Sequence, residues 1–129
     1  MAYLLIVDDD EDFASAAATV LRKEGHNVQI ELDTDDAVQS MENKLPDLVV
    51  LDVMFPEDAS AGFEMARFMQ HDERFKGIPI LMLTAINTRF PLGFGPKDID
   101  DRWLPVTDFL EKPVEFDVLL HKVAELLPD

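Results

Sequence analysis

The sequence predicts a doubly wound α/β domain: a five-stranded parallel sheet with helices on both faces. Three observations point there. Four apolar runs, at residues 3–7, 48–51, 80–83 and 109–110, each lead into a chemically distinctive residue: Asp8 and Asp9, Asp52, Thr84, and Lys112. Segments with helical spacing of apolar residues alternate with these runs, and alternating β and α units imply a parallel sheet covered on both sides. At 129 residues the chain holds one core and is too short for two, so residues 1–129 are read as one domain.

Residues 3–7 read as a buried strand. Asp10 is placed to cap the next helix, because its carboxylate can accept an orphan backbone N–H. Phe13, Ala16, Ala17, Val20 and Leu21 give that helix one apolar face, and Gly25 ends it. Val28 and Ile30 alternate with polar residues, the pattern of a strand near a sheet edge. Thr34 is placed to cap a second helix with Ala37, Val38, Met41 and Leu45 inward, and Pro46 stops it. Leu48–Leu51 is the most apolar strand and belongs at the centre.

A loop over 52–62 leads to a third helix from about 63 to 70, with Phe63, Ala66 and either Phe68 or Met69 toward the core. Residues 80–83 form a fourth strand entered through Pro79, and 108–110 a short fifth. The last helix carries Phe116, Leu119, Leu120, Val123 and Leu126 at helical spacing. Between these, residues 86–106 hold Pro91, Gly93, Gly95, Pro96 and Pro105. Proline and glycine cost about 3 and 1 kcal/mol in a helix interior, so the fourth helix is expected to be irregular or shortened. A loop is expected at about 89–95, then a short helix with Pro96 near its start and Trp103 near its end. Phe90, Phe94 and Trp103 then either pack down or form an exposed contact patch.

The charge narrows the partners. With 27 acidic and 11 basic residues the formal charge is −16, a surface that repels nucleic acid and anionic membrane. Absence of cysteine excludes disulfides and thiolate metal sites. The first apolar run is short and flanked by acid, unlike a signal peptide, and no stretch approaches the ~20 apolar residues of a membrane span. The expectation is a soluble, cytoplasmic protein. His26, His71 and His121 lack ligand spacing and read as surface residues.

Parallel strands bring their C-terminal ends to one edge, where open α/β sheets place their sites. Asp8, Asp9 and Asp52 would converge there. Two carboxylates about 5 Å apart repel by roughly 3 kcal/mol at an effective dielectric near 20. Three together need a cation, and an all-oxygen donor set favours Mg²⁺. Asp52 also stands where a nucleophile would, since a carboxylate can attack phosphorus and form an acyl phosphate. Thr84 can hydrogen-bond a phosphoryl oxygen, and Lys112 can pair with the carboxylate or the phosphoryl group. Pro113 is a candidate cis proline that would hold Lys112 inward. Asp10, Glu11 and Asp12 read instead as acids of a helix start.

In this order, LLIVDDDEDF, PDLVVLDVMFP, IPILMLTA and DFLEKPV make the chain resemble a response-regulator receiver domain over essentially its whole length. The likeness is to the phospho-accepting module of two-component signalling, with single-domain chemotaxis regulators as the nearest form. It implies a flavodoxin-like (βα)5 fold and a switch that takes phosphate on Asp52 from a histidine kinase or phosphotransfer protein. It implies Mg²⁺ held directly by Asp9, Asp52 and the backbone carbonyl of Met54, with Asp8 acting through metal-bound water. Thr84, the backbone of Ala85 and Lys112 would bind the phosphoryl group. Thr84 and Phe109 would be the switch pair, Phe109 turning inward once Thr84 moves. No separate substrate turnover is expected, and a monomer or weak homodimer would dock to a downstream protein.

The chain departs from the family pattern in two places. Gly62 comes about two residues late after Asp52, and the Thr84–Lys112 interval is several residues long, with the surplus in the Pro/Gly segment. The family's usual signalling surface is thereby rebuilt. Met54 and Ile86 occupy positions that influence acyl-phosphate hydrolysis in the family, and neither side chain can orient a water, so a long-lived phosphoryl group is expected. A phosphate-independent interaction module of the same fold is the alternative function. A haloacid-dehalogenase-type phosphatase fits less well: its nucleophile strand comes first with an Asp-x-Asp pattern, whereas here the acidic pair comes first and Asp52-Val53-Met54 lacks the second acid. A flavodoxin-like nucleotide binder is disfavoured because the acidic pair would repel phosphate and a glycine-rich cradle is missing.

Overall fold

The computed structural model describes residues 2–52, 61–84, 108–111 and 114–127. Their elements run β1 (Tyr3–Val7), α1 (Glu11–Lys23), β2 (Asn27–Glu31), α2 (Thr34–Asn43), β3 (Leu48–Asp52), α3 (Ala61–His71), β4 (Ile80–Thr84), β5 (Asp108–Glu111) and α4 (Phe116–Leu126). The five strands form one sheet in the order β2-β1-β3-β4-β5, every neighbouring pair parallel. The apolar β3 is central and the alternating β2 lies at an edge, as their patterns predict. Residues 53–60, expected as a loop, and 86–106, expected to hold an irregular or shortened helix, lie outside the described residues.

Strand side chains alternate between faces, and the two cores sort accordingly. Leu5, Val7, Val49, Leu51, Ile80 and Met82 pack with Ala37 and Met41 of α2 and Met65, Ala66 and Met69 of α3. Leu4, Ile6, Leu48, Val50, Leu81 and Leu83 pack with Ala14, Ala17, Ala18 and Leu21 of α1 and Leu119 and Val123 of α4. Each fully buried Leu, Ile or Val contributes about 1.5–3 kcal/mol relative to exposure. The Phe13 and Phe116 rings, 6.0 Å apart, join α1 to α4.

The helix ends follow from single residues. The Asp10 side chain accepts from the Phe13 N–H at 3.1 Å and caps α1. Gly25, at φ 96, donates its N–H to the Arg22 carbonyl while the His26 N–H reaches the Leu21 carbonyl, a Schellman closure. The cap of α2 is Asp33 rather than Thr34: its carboxylate accepts from the Asp36 N–H at 2.8 Å, and Thr34 becomes the first helical residue.

Two core assignments also shift, and a third is decided between its two alternatives. Ala16 is exposed and Val20 half-buried, because the buried stripe of α1 runs through Ala14, Ala17, Ala18 and Leu21. Leu45 is 54% exposed, since α2 has already ended at its Lys44 cap. Met69, not Phe68, faces the core, joined by Met65. The fully buried Phe75 belongs to no helix or strand; turn hydrogen bonds from Phe75 N–H to the Asp72 carbonyl and from Ile78 N–H to the Phe75 carbonyl hold it down. Arg74 lies over its ring and bridges Asp72 at 2.9 Å and Glu42 of α2 at 3.0 Å. The hydrogen bonds from Arg74 hold the Asp72 carboxyl below its ordinary range, and Asp72 with Glu42 raises the guanidinium in turn.

Candidate functional site

The β1–β3 register pairs Leu4 with Leu48, Ile6 with Val50 and Val7 with Leu51. One further step along the ladder brings Asp8 beside Asp52, the last residue of β3. The two aspartates extend the rows Leu4–Ile6 and Leu48–Val50, so the same pleat that buries those side chains carries the carboxylates to the sheet's C-terminal edge. Asp8 is 1% and Asp52 2% exposed, and Asp9 is half-buried. One oxygen from each of Asp8, Asp9 and Asp52 lies within 4.8 Å of the others.

At such separations each pair of charges repels by about 3 kcal/mol at an effective dielectric near 20. Burial makes the repulsion harder to screen. Backbone donors relieve part of it: the Asp10 N–H donates to Asp8 Oδ1 at 2.9 Å. The Asp8 N–H in turn donates to the Glu31 carbonyl at 3.1 Å, extending the β1–β2 ladder past the end of β1. The donor set is all hard oxygen, without sulfur or imidazole, and it fits Mg²⁺, which takes one or two carboxylates and keeps several waters.

The next strands bring further residues to this edge. Asp52 pairs with Leu83, and Thr84 is the next residue of β4. Thr84 pairs with Glu111 and Met82 with Phe109, which brings the end of β5 to the same edge. The side chains of Phe63, Thr84 and Phe109, and residues Met54, Ala85, Ile86, Lys112 and Pro113, lie outside the described part of the structure. The structure thus brings Asp8, Asp9 and Asp52 together and puts the backbones of Thr84 and Phe109 on adjacent strands. The sequence marks Asp10 as a cap alone; its N–H on Asp8 is signalled only by its place between the acidic pair and the helix start.

Lys122 of α4 fixes the start of β5, its Nζ lying 2.8 Å from Asp108 Oδ2 and 3.2 Å from Glu125 Oε1. The hydrogen bond it donates to Asp108, then the one to Glu125, holds the ammonium pKa above its ordinary value.

The model of the response regulator receiver domain matches residues 4–124. Transcriptional regulatory protein AfsQ1 of Streptomyces coelicolor is 31% identical over 127 residues, covering 98% of this chain and 52% of its own length. DNA-binding response regulator MtrA of Mycolicibacterium smegmatis is 38% identical over 124 residues, covering 96% and 50%. The CAI-1 autoinducer sensor kinase/phosphatase CqsS of Vibrio cholerae is 31% identical over 122 residues, covering 94% of this chain and 17% of its own. The chain therefore spans about half the length, or less, of these curated relatives.

Solved structures cover more evenly. A response regulator from Chloroflexus aurantiacus superposes with a TM-score of 0.80 at 31% identity, over 96% of this chain and 95% of that one. Chemotaxis response regulator CheY4 of Vibrio cholerae gives 0.82 at 26%, over 98% and 99%. Receiver domains are signalling modules that take phosphate from histidine kinases or phosphotransfer proteins and bind Mg²⁺ at an acidic pocket. Among the described residues no helix is long and apolar enough to cross a membrane.

Proposed function

We propose, from the premise that the chain belongs to the response regulator receiver domain family, that residues 1–129 act as one phosphorylation-dependent switch of a two-component phosphorelay. Asp52 is the phosphoacceptor. The observation that carries this reading is the convergence of Asp8, Asp9 and Asp52 within 4.8 Å at the end of two buried strands. The phosphoryl donor is a phosphohistidine on a kinase or phosphotransfer protein. An Asp52 carboxylate oxygen attacks phosphorus, the P–N bond breaks, and the imidazole leaves with a proton.

Asp9, Asp52 and the Met54 carbonyl would hold Mg²⁺ directly, and Asp8 through water. When bound, the ion supplies positive charge that offsets repulsion between the carboxylate and the phosphoryl oxygens. Thr84, the Ala85 N–H and Lys112 hold the transferred group. Movement of Thr84 toward it biases Phe109 inward and shifts the surface read by a protein partner. The site turns over its own phosphoryl group and no separate substrate. The charge of −16 favours a monomer or weak homodimer, disfavours nucleic acid as partner, and suits a cytoplasmic protein.

Intact mass after incubation with Mg²⁺ and acetyl phosphate tests this. One added phosphoryl group is expected with Mg²⁺, and none with a chelator or in Asp52→Asn. An unmodified protein that still binds Mg²⁺ would instead support a phosphate-independent docking module. Since Met54 and Ile86 offer no group to orient a water, decay without a phosphatase is expected to be slow; a half-life of seconds would contradict that.

A further inference from the structure

Asp10 stands between the acidic cluster and α1 and is bonded in both directions. Its own N–H donates to Asp8 Oδ1 at 2.9 Å. Its carboxylate accepts from the Phe13 N–H at 3.1 Å, and its carbonyl accepts from the Ala14 N–H at 2.9 Å. The residue is exposed, and its carboxylate is absent from the group of oxygens that Asp8, Asp9 and Asp52 bring together.

We infer that Asp10 is a positioning residue for the cation site, acting through its backbone: capping α1 fixes its φ and ψ, and this holds its N–H on Asp8 Oδ1. The inference rests on the proposed Mg²⁺ site. The chain of cause is short. A capping side chain sets the extended conformation of its own residue, here φ −83 and ψ 93. That conformation aims the Asp10 N–H back at Asp8. A carboxylate with one oxygen held has a set orientation. Partners that orient a ligand in this way govern affinity without touching the metal.

A rival account is that Asp10 acts as an additional negative charge near the ion. The two accounts differ in what Asn and Ser do, since both keep a capping acceptor and neither carries charge. Calorimetric titration of the full chain with Mg²⁺ alone decides between them. Asp10→Ala is expected to weaken binding by about 5- to 10-fold, at or below the low end for loss of an outer-shell partner. Asp10→Asn and Asp10→Ser are expected to stay within about 2-fold of wild type, because capping is retained.

Ala16→Gly, on the exposed face of α1, destabilises the same helix without touching the cap and is expected to leave affinity unchanged. Circular dichroism establishes that each variant is folded at the titration temperature. If Asp10→Ala does not fold, Asp10→Asn against wild type still separates charge from capping. Equal weakening in Asn and Ala, weakening in Ala16→Gly, or wild-type affinity in Ala would overturn the inference. Failure of wild type to bind Mg²⁺ would remove the proposed site and the inference with it, an outcome distinct from the others.

Discussion

The two faces of the sheet are built from different side chains. On the α1–α4 face, Ala14, Ala17 and Ala18 lie against branched aliphatics, and the strand rows there run on into Asp8 and Asp52. Three alanines let a helix approach a sheet closely and leave little room for adjustment. On the α2–α3 face, Met41, Met65, Met69 and Met82 share one core with Phe75. Methionine is unbranched and fills irregular space in several rotamers. The face continuous with the site is thus fixed by shape, whereas the other is fixed by volume.

Substitutions that load each face separately test this contrast. The largest effect is expected from Phe75→Ala, a cavity costing about 3–5 kcal/mol in denaturant unfolding. Mg²⁺ affinity of the folded fraction should nevertheless hold, because Phe75 packs on the face away from the carboxylate rows. Ala17→Leu comes next, at about 1–3 kcal/mol for overpacking. Here calorimetry should also show weakened Mg²⁺ binding, since a displaced α1 carries Asp10 with it. Met69→Leu conserves volume and is expected to cost less than about 1.5 kcal/mol, with affinity unchanged.

The smallest effect concerns the exposed Glu42–Arg74–Asp72 bridge. Asp72 has a folded pKa below its unfolded value of 3.8. The stability it contributes is present above that value and lost as pH falls through the lowered folded pKa. Arg74→Met should therefore cost a small amount of thermal stability above about pH 4 and none below the lowered folded pKa, which flattens the acid limb.

The same contrast explains what the sequence made legible. Strand runs ending in Asp8, Asp9 and Asp52 were readable because burial and charge meet abruptly there, and parallel topology brings those ends together. Asp10 and Gly25 were readable because caps need particular side chains. The buried stripe of α1 was off by part of a turn because alanine is too small to mark a face: Ala14, Ala16, Ala17 and Ala18 look alike until the sheet selects three of them. Phe75 stands alone in the polar stretch Asp72–Gly77 and has no periodicity to announce it. Thr34 and Asp33 are both good caps, and the carboxylate three residues before Asp36 took the position. The N–H from Asp10 to Asp8 is a backbone contact and carries no signature in residue type.

The most direct test of the central claim is chemical localisation of the phosphoryl group. After treatment with acetyl phosphate and Mg²⁺, borohydride reduction converts an acyl-phosphorylated aspartate to homoserine, which peptide sequencing by mass spectrometry locates. Homoserine is expected at position 52 alone, and none when Mg²⁺ is chelated. Homoserine at Asp8, Asp9 or elsewhere, or at position 52 irrespective of Mg²⁺, would contradict it.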